Sequence, residues 1–174
     1  RLTQLCWRNA DLDFSNVDAL LDSLLAAPTR PGLVKGNDAS DLMTLASLTR
    51  EPEIRRLASS RHRVRLLWDA CQIPDFRKLA DDTHTKLCAR VFSHIAAGQP
   101  IPTDWIAQNI AALGRPEGDI DTLMQRLSGV RVWSYIAARA DWVRDAEHWQ
   151  EQARTVEDLL SDALHEKLMS RFVD

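Results

Sequence analysis

Apolar positions recur at spacings of three and four along most of the chain, and turn-forming residues separate the runs, a pattern that predicts helices throughout. Arg1 to Phe14 lacks a clear period and reads as a connector, with a short extended piece at Leu5–Trp7. Ser15 is placed to cap a helix running to about Ala26, with Val17, Leu20, Leu21, Leu24 and Leu25 apolar. Pro28, Pro31, Gly32 and Gly36 predict a loop. Helices follow over Asp38 to Leu48, Pro52 to Ala58 and Val64 to Ala70, the last stopping before Pro74, which disfavours α-conformation at Ile73. Another starts at Asp81 or Asp82, carries Leu87, Val91, Phe92 and Ile95, and closes at Gly98. Trp105, Ile106, Ile110 and Leu113 mark one between Pro102 and Gly114.

The last third carries the strongest pattern. Ile120, Leu123, Leu127, Val130, Trp133 and Ala137 form one stripe, widened by Met124 and Ile136, with Asp119 or Asp121 as cap and an end near Ala140–Asp141–Trp142. Gly129 interrupts it, either allowing a close helix crossing or simply tolerated. Asp145 is the expected cap of a second arm, whose stripe is Ala146, Trp149, Ala153, Val156, Leu160, Leu164, Leu168 and Phe172. No Pro or Gly breaks Asp145 to Asp174, so at ~1.5 Å per residue this helix spans roughly 40 Å. The expectation is an all-α, multi-helix domain ending in a long antiparallel hairpin.

Composition supports that class. Few glycines and prolines and almost no β-branched runs argue against a sheet protein and against disorder. Six tryptophans are expected at buried helix contacts. Net charge is −3, unlike a general nucleic-acid binder, but the charge is unevenly spread. Six arginines against Glu51 and Glu53 give residues 50–65 a balance of +4, whereas nine acids against four bases give residues 141–174 a balance of −5. Cys6, Cys71 and Cys88 share no metal-type spacing and fit reduced thiols in a cytoplasmic protein. There is no signal peptide and no membrane-spanning run, so no membrane partner is expected. The chain starts at Arg1 and stops within a helical pattern, as an excised piece of a longer protein would.

Candidate chemistry is sparse. His84, Cys88 and His94 share a helix but lack a fourth ligand at recognisable spacing. Asp162 and His165 lie at i, i+3 without a matching partner helix. His148 beside Trp149 places one ring outward and one inward. Gly32, Lys35 and Gly36 do not complete a phosphate loop, and no nucleophile motif is present. No catalytic, cofactor-binding or metal-binding residue is assigned. The basic run reads either as a solvated helical surface or as phosphate contact. Arg61, Arg63 and Arg65 precede Trp68, and Phe76, Arg77 and Lys78 follow, a mixture of cations and aromatics that suits a single strand. Arg61, Arg63, Arg77 and Lys78 are the candidate nucleic-acid contacts.

A family resemblance goes further. The run Val64 to Lys78 (VRLLWDACQIPDFRK), Gly118 to Leu123, the tail from His148 through Glu157–Asp158 to Glu166, and Cys6–Asn9 with Asp11–Ser15 resemble bacterial relatives of the mitochondrial RNA-degradosome helicase, a DExH-type superfamily-two enzyme. The resemblance covers essentially the whole chain and corresponds to the helical region after two RecA-like motor domains. It implies that residues 1–37 are a connector with one helix and residues 38–174 an accessory domain. It also implies that ATP and magnesium sit upstream in the motor, that the motor domains of the same chain are partners, and that single-stranded RNA or DNA passes along this region. No Walker A or DExH box occurs here, so the fragment itself is not expected to be the ATPase. A helical protein–protein scaffold with an acidic docking arm is the alternative, and a free-standing enzyme of unknown type the third.

Overall fold

The computed structural model describes residues 5–27, 33–35 and 40–173. Among these residues are eight helices and one pair of three-residue strands, so the class is all-α. The strands are β1 (Leu5–Trp7) and β2 (Leu33–Lys35), and the helices α1 (Val17–Leu24), α2 (Ser40–Leu48), α3 (Pro52–Leu57), α4 (Arg61–Cys71), α5 (Thr83–Ala96), α6 (Thr103–Leu113), α7 (Ile120–Ala137) and α8 (Ala146–Val173). The chain divides into two compact units, Arg1–Ile73 with Asp81–Gly98, and Pro74–Ala80 with Gln99–Asp174.

In the first unit β1 and β2 run parallel, with Leu5, Cys6 and Trp7 opposite Leu33, Val34 and Lys35. The extended piece at Leu5–Trp7 is as the sequence suggests. β2 instead falls inside the expected loop, whose Pro28, Pro31, Gly32 and Gly36 lie outside the described residues. A parallel partner distant in sequence leaves no local periodic signal. The cap of α1 is Asn16 rather than Ser15. Asn16 Oδ1 accepts from the Ala19 N–H at 2.8 Å, while Ser15 is held by the Asp13 carboxylate. α4 begins at Arg61, three residues before the apolar pattern shows it, because Ser60 Oγ accepts from the Arg63 N–H at 3.2 Å and starts a wholly polar turn. α2 and α5 both pack on α4, and α3 packs on α5. Leu20, Leu45, Leu48, Val64, Leu67, Ile73 and Phe92 are buried in this unit. Gly98 follows α5 at φ 73°, a left-handed conformation that suits the residue after a helix end.

In the second unit α7 packs against both α6 and α8. Asp119 caps α7, its Oδ1 accepting from the Thr122 N–H at 2.7 Å. α7 and α8 run in opposite directions. Gln150 Nε2 donates to the Ala137 carbonyl at 3.1 Å near one end, and the Lys167 charge reaches Asp119 at the other. α7 ends at Ala137, before the expected Ala140–Trp142. There the chain turns so that Trp142 and Val143 fill the core from the corner, and the Trp142 carbonyl accepts from the Ile101 N–H at 2.8 Å. Asp145 precedes α8 at φ 54°, and its carbonyl accepts from the Trp149 N–H.

The α7 stripe is buried at Leu123, Leu127, Val130, Trp133, Ile136 and Ala137. Met124 does not widen it, being 53% exposed. On α8, Ala153 and Leu160 are fully buried, but Leu168 is 37% and Phe172 84% exposed. The apolar stripe of α8 therefore outruns its cover. Gly129 faces α6: a β-carbon there would lie 2.9 Å from Leu113 Cδ2. No tryptophan is fully exposed, and Trp68, Trp133 and Trp142 are buried. Among the described residues no helix is long and apolar enough to cross a membrane.

Candidate nucleic-acid interface

The basic run of the first unit divides by what each guanidinium already does. Arg55 Nε donates to the Thr49 carbonyl at 2.5 Å and its Nη2 to Asp18 at 3.1 Å, closing the α2–α3 corner. Arg63 Nη1 donates to the Leu57 carbonyl at 3.3 Å, so this candidate contact is half-occupied with sealing the end of α3. Arg65 lies over the Phe14 ring, 4.9 Å from its centroid. Arg61 is exposed on the first turn of α4, and its charge helps hold the Asp13 carboxyl below its ordinary range, behind the larger effect of the Ser15 hydrogen bonds. Arg50 and Arg56 are exposed, and their side chains make no hydrogen bond or ion pair among the described residues. Arg61 and Arg63, two positions apart on one helix, do not share a face.

Arg77 and Lys78 belong to the second unit, in its short opening segment. Arg77 is half-buried. Its Cδ lies 3.7 Å from where a Gly129 β-carbon would stand, and its Nε is buried with no hydrogen-bond partner. Its stem thus packs against α7. Lys78 is exposed, and its backbone is held at φ 50° by a turn in which its N–H donates to Asp75 Oδ1 at 3.0 Å. The four candidate residues therefore form two pairs, one in each unit.

The other candidate clusters are placed differently. His84 Nε2 donates to the Ile73 carbonyl at 2.8 Å, and Cys88 is fully buried in the core. Burial pushes the Cys71 thiol well above its ordinary pKa, with Cys88 and Asp41 adding to the effect, which keeps it protonated and unreactive. Asp162 and His165 are exposed on α8. His148 is exposed and Trp149 half-buried, their rings edge-to-face at 4.6 Å.

Arg8 lies outside the basic run, and no spacing in the sequence marks it. It binds Asp41 through both Nη atoms, at 2.6 and 2.9 Å, and its guanidinium lies 5.6 Å from the Trp68 ring centroid. Burial raises the Asp41 pKa, but the hydrogen bonds and charge of Arg8 outweigh it and leave a net lowering. No local spacing rule connects residues so far apart in sequence.

No protein-family model, curated protein or solved structure matches this chain.

Proposed function

We propose that this chain is the helical accessory part of an ATP-dependent RNA or DNA helicase and lines part of its single-strand path. The reading is supported by the sequence resemblance and carried by one structural observation. Arg50, Arg56 and Arg61 stand exposed on consecutive corners and turns of the first unit, and none of their side chains forms a hydrogen bond or ion pair among the described residues. Exposed cations that no carboxylate holds by a hydrogen bond are what a phosphate backbone needs. ATP and magnesium belong, in this reading, to the upstream motor, and the residues here hold and guide rather than cleave.

The test is binding of a fluorescent uridine oligonucleotide and its DNA counterpart to the chain, followed between about 50 and 200 mM salt. Arg56→Ala and Arg61→Ala should each reduce the slope of log affinity against log salt by about 0.7. Unchanged affinity and slope in both variants make the basic run a solvated surface.

A second reading, a helical interaction scaffold, is favoured by the end of α8, where Leu168, Met169 and Phe172 are exposed. Loss of a partner on Phe172→Ser, with strand binding absent in the wild type, selects it over the first.

A further inference from the structure

The second unit opens with Pro74–Ala80, which carries Phe76, Arg77 and Lys78 in succession. Three separate features meet at these residues. Phe76 is 44% exposed. Arg77 lays its stem against α7 beside Gly129, and its Nε is buried without a hydrogen-bond partner. Lys78 is exposed and holds a left-handed backbone at φ 50°.

An exposed ring alone is ordinary on a protein surface. Its two neighbours are not. A buried donor without an acceptor has given up its hydration and received nothing in exchange. A left-handed backbone at a residue with a side chain is strained, and strain of this kind collects at ligand clamps, where the surrounding structure holds it.

One class of ligand answers all three. A guanidinium lacking an acceptor calls for an anionic oxygen, and a phosphate matches its fork by receiving two N–H groups side by side. Lys78 adds a second cation next to Arg77. Asp75 is the single acid of the segment, and its Oδ1 accepts from the Lys78 N–H at 3.0 Å, so it shapes the turn that presents the two cations. A nucleobase is flat, and any of them stacks on an exposed ring because each has a π-face.

We infer that Phe76, Arg77 and Lys78 form a one-nucleotide clamp, in which Arg77 and Lys78 hold a phosphate of the bound single strand and the adjoining base stacks on Phe76, without preference among bases. The Arg77 guanidinium turns about its outer torsions to bring Nε and one Nη to the phosphate, while its stem stays on α7. The clamp rests on the strand-path reading given above. It adds to that reading a contact in the second unit and a grip on bases as well as on phosphates.

The experiment follows fluorescence anisotropy of two labelled DNA strands of equal length, oligothymidine and a strand abasic throughout, with the wild-type chain and three variants. Phe76→Leu stays apolar and loses the ring. It should bind oligothymidine about fivefold or more weakly and the abasic strand as the wild type does. Phe76→Tyr keeps the ring and should bind both strands as the wild type does. Arg77→Lys keeps the charge and loses the fork, so it should weaken both strands by about fivefold or more with the salt slope unchanged. Equal thermal unfolding of wild type and variants verifies that the fold is kept. Wild-type affinity of Phe76→Leu for oligothymidine, an equal loss on both strands, or a loss in Phe76→Tyr as large as in Phe76→Leu overturns the clamp. Wild-type affinity of Arg77→Lys for both strands overturns it as well. If Arg56→Ala and Arg61→Ala still lower the salt slope, the strand-path reading survives that result. Absence of binding to either strand by the wild type overturns both.

Discussion

Gly129 on α7 and Leu113 at the end of α6 are in such close approach that a β-carbon on the first would stand 2.9 Å from Cδ2 of the second. The glycine is a contact surface, and its missing side chain is occupied by leucine. Two effects of similar size oppose each other on substitution. Alanine gains about 1 kcal/mol in helix propensity, and overpacking costs ~1–3 kcal/mol. Leu113 is half-buried and can rotate, which holds the cost near the lower end. Gly129→Ala should therefore fall within about 1 kcal/mol of wild type. The same change made on a Leu113→Ala background should stabilise by about 1 kcal/mol. A urea double-mutant cycle with no coupling between the two positions would show that they do not compete for space.

The α7–α8 contact is graded along its length. Leu127 is 6% exposed and Leu160 fully buried, so each should cost ~2–5 kcal/mol when cut to alanine. Leu168, further along α8 and 37% exposed, should cost less than about 1 kcal/mol. Equal losses at Leu160 and Leu168 in chemical denaturation would mean that the end of α8 is covered in solution.

Arg8 and Asp41 give the first unit a pH-dependent tie. The folded-state pKa of Asp41 is lowered, so the contribution is present above the unfolded carboxylate value of about 3.9 and is lost as pH falls through the lower folded value. The pair is partly solvated, which limits its worth to about 1 kcal/mol. Asp41→Asn should lower stability by that amount at neutral pH and by progressively less on acidification below pH ~4. Parallel melting curves of the two proteins that keep a constant gap down to the acid limit would refute the assignment.

Lys78 holds a left-handed backbone without being glycine. That conformation costs an ordinary residue ~1–2 kcal/mol, part of which glycine gives back as chain entropy. Lys78→Gly should raise stability by about 0.5–1 kcal/mol, while Lys78→Ala, which keeps the strain, should not. Both remove the same charge. If Lys78 meets a strand, the two variants lose affinity equally although their stabilities differ.

What the sequence discloses follows the range of the interaction. Helices with an apolar stripe, such as α5 and α7, are legible because period and caps lie within the element itself. The first turn of α4 is not, since Arg61, His62 and Arg63 carry no apolar period and only the Ser60 cap announces them. Met124 and Leu168 match the stripe in spacing yet remain exposed, because periodicity says which side of a helix is apolar and not how far its partner extends. The basic run is visible as composition. That Arg55 and Arg63 are committed to carbonyl groups while Arg50 and Arg56 stand open depends on the chain's own corners. The contact of the Arg77 stem with Gly129 joins the Pro74–Ala80 segment to α7, and no window along the chain contains both.

The parallel pairing of β1 with β2 has a mechanical side. A pull on the backbone at Leu5, resisted where the chain leaves Lys35, draws two parallel strands lengthwise past each other. Their ladder then carries load across several hydrogen bonds at once instead of opening one by one. α1 lies in the span between the strands and is shielded from the tension for as long as the ladder holds. The Arg8–Asp41 grip just beyond β1 adds a second fastening in series with it. Tension applied at Leu5 would load these few strand residues before it disturbed the helices behind them.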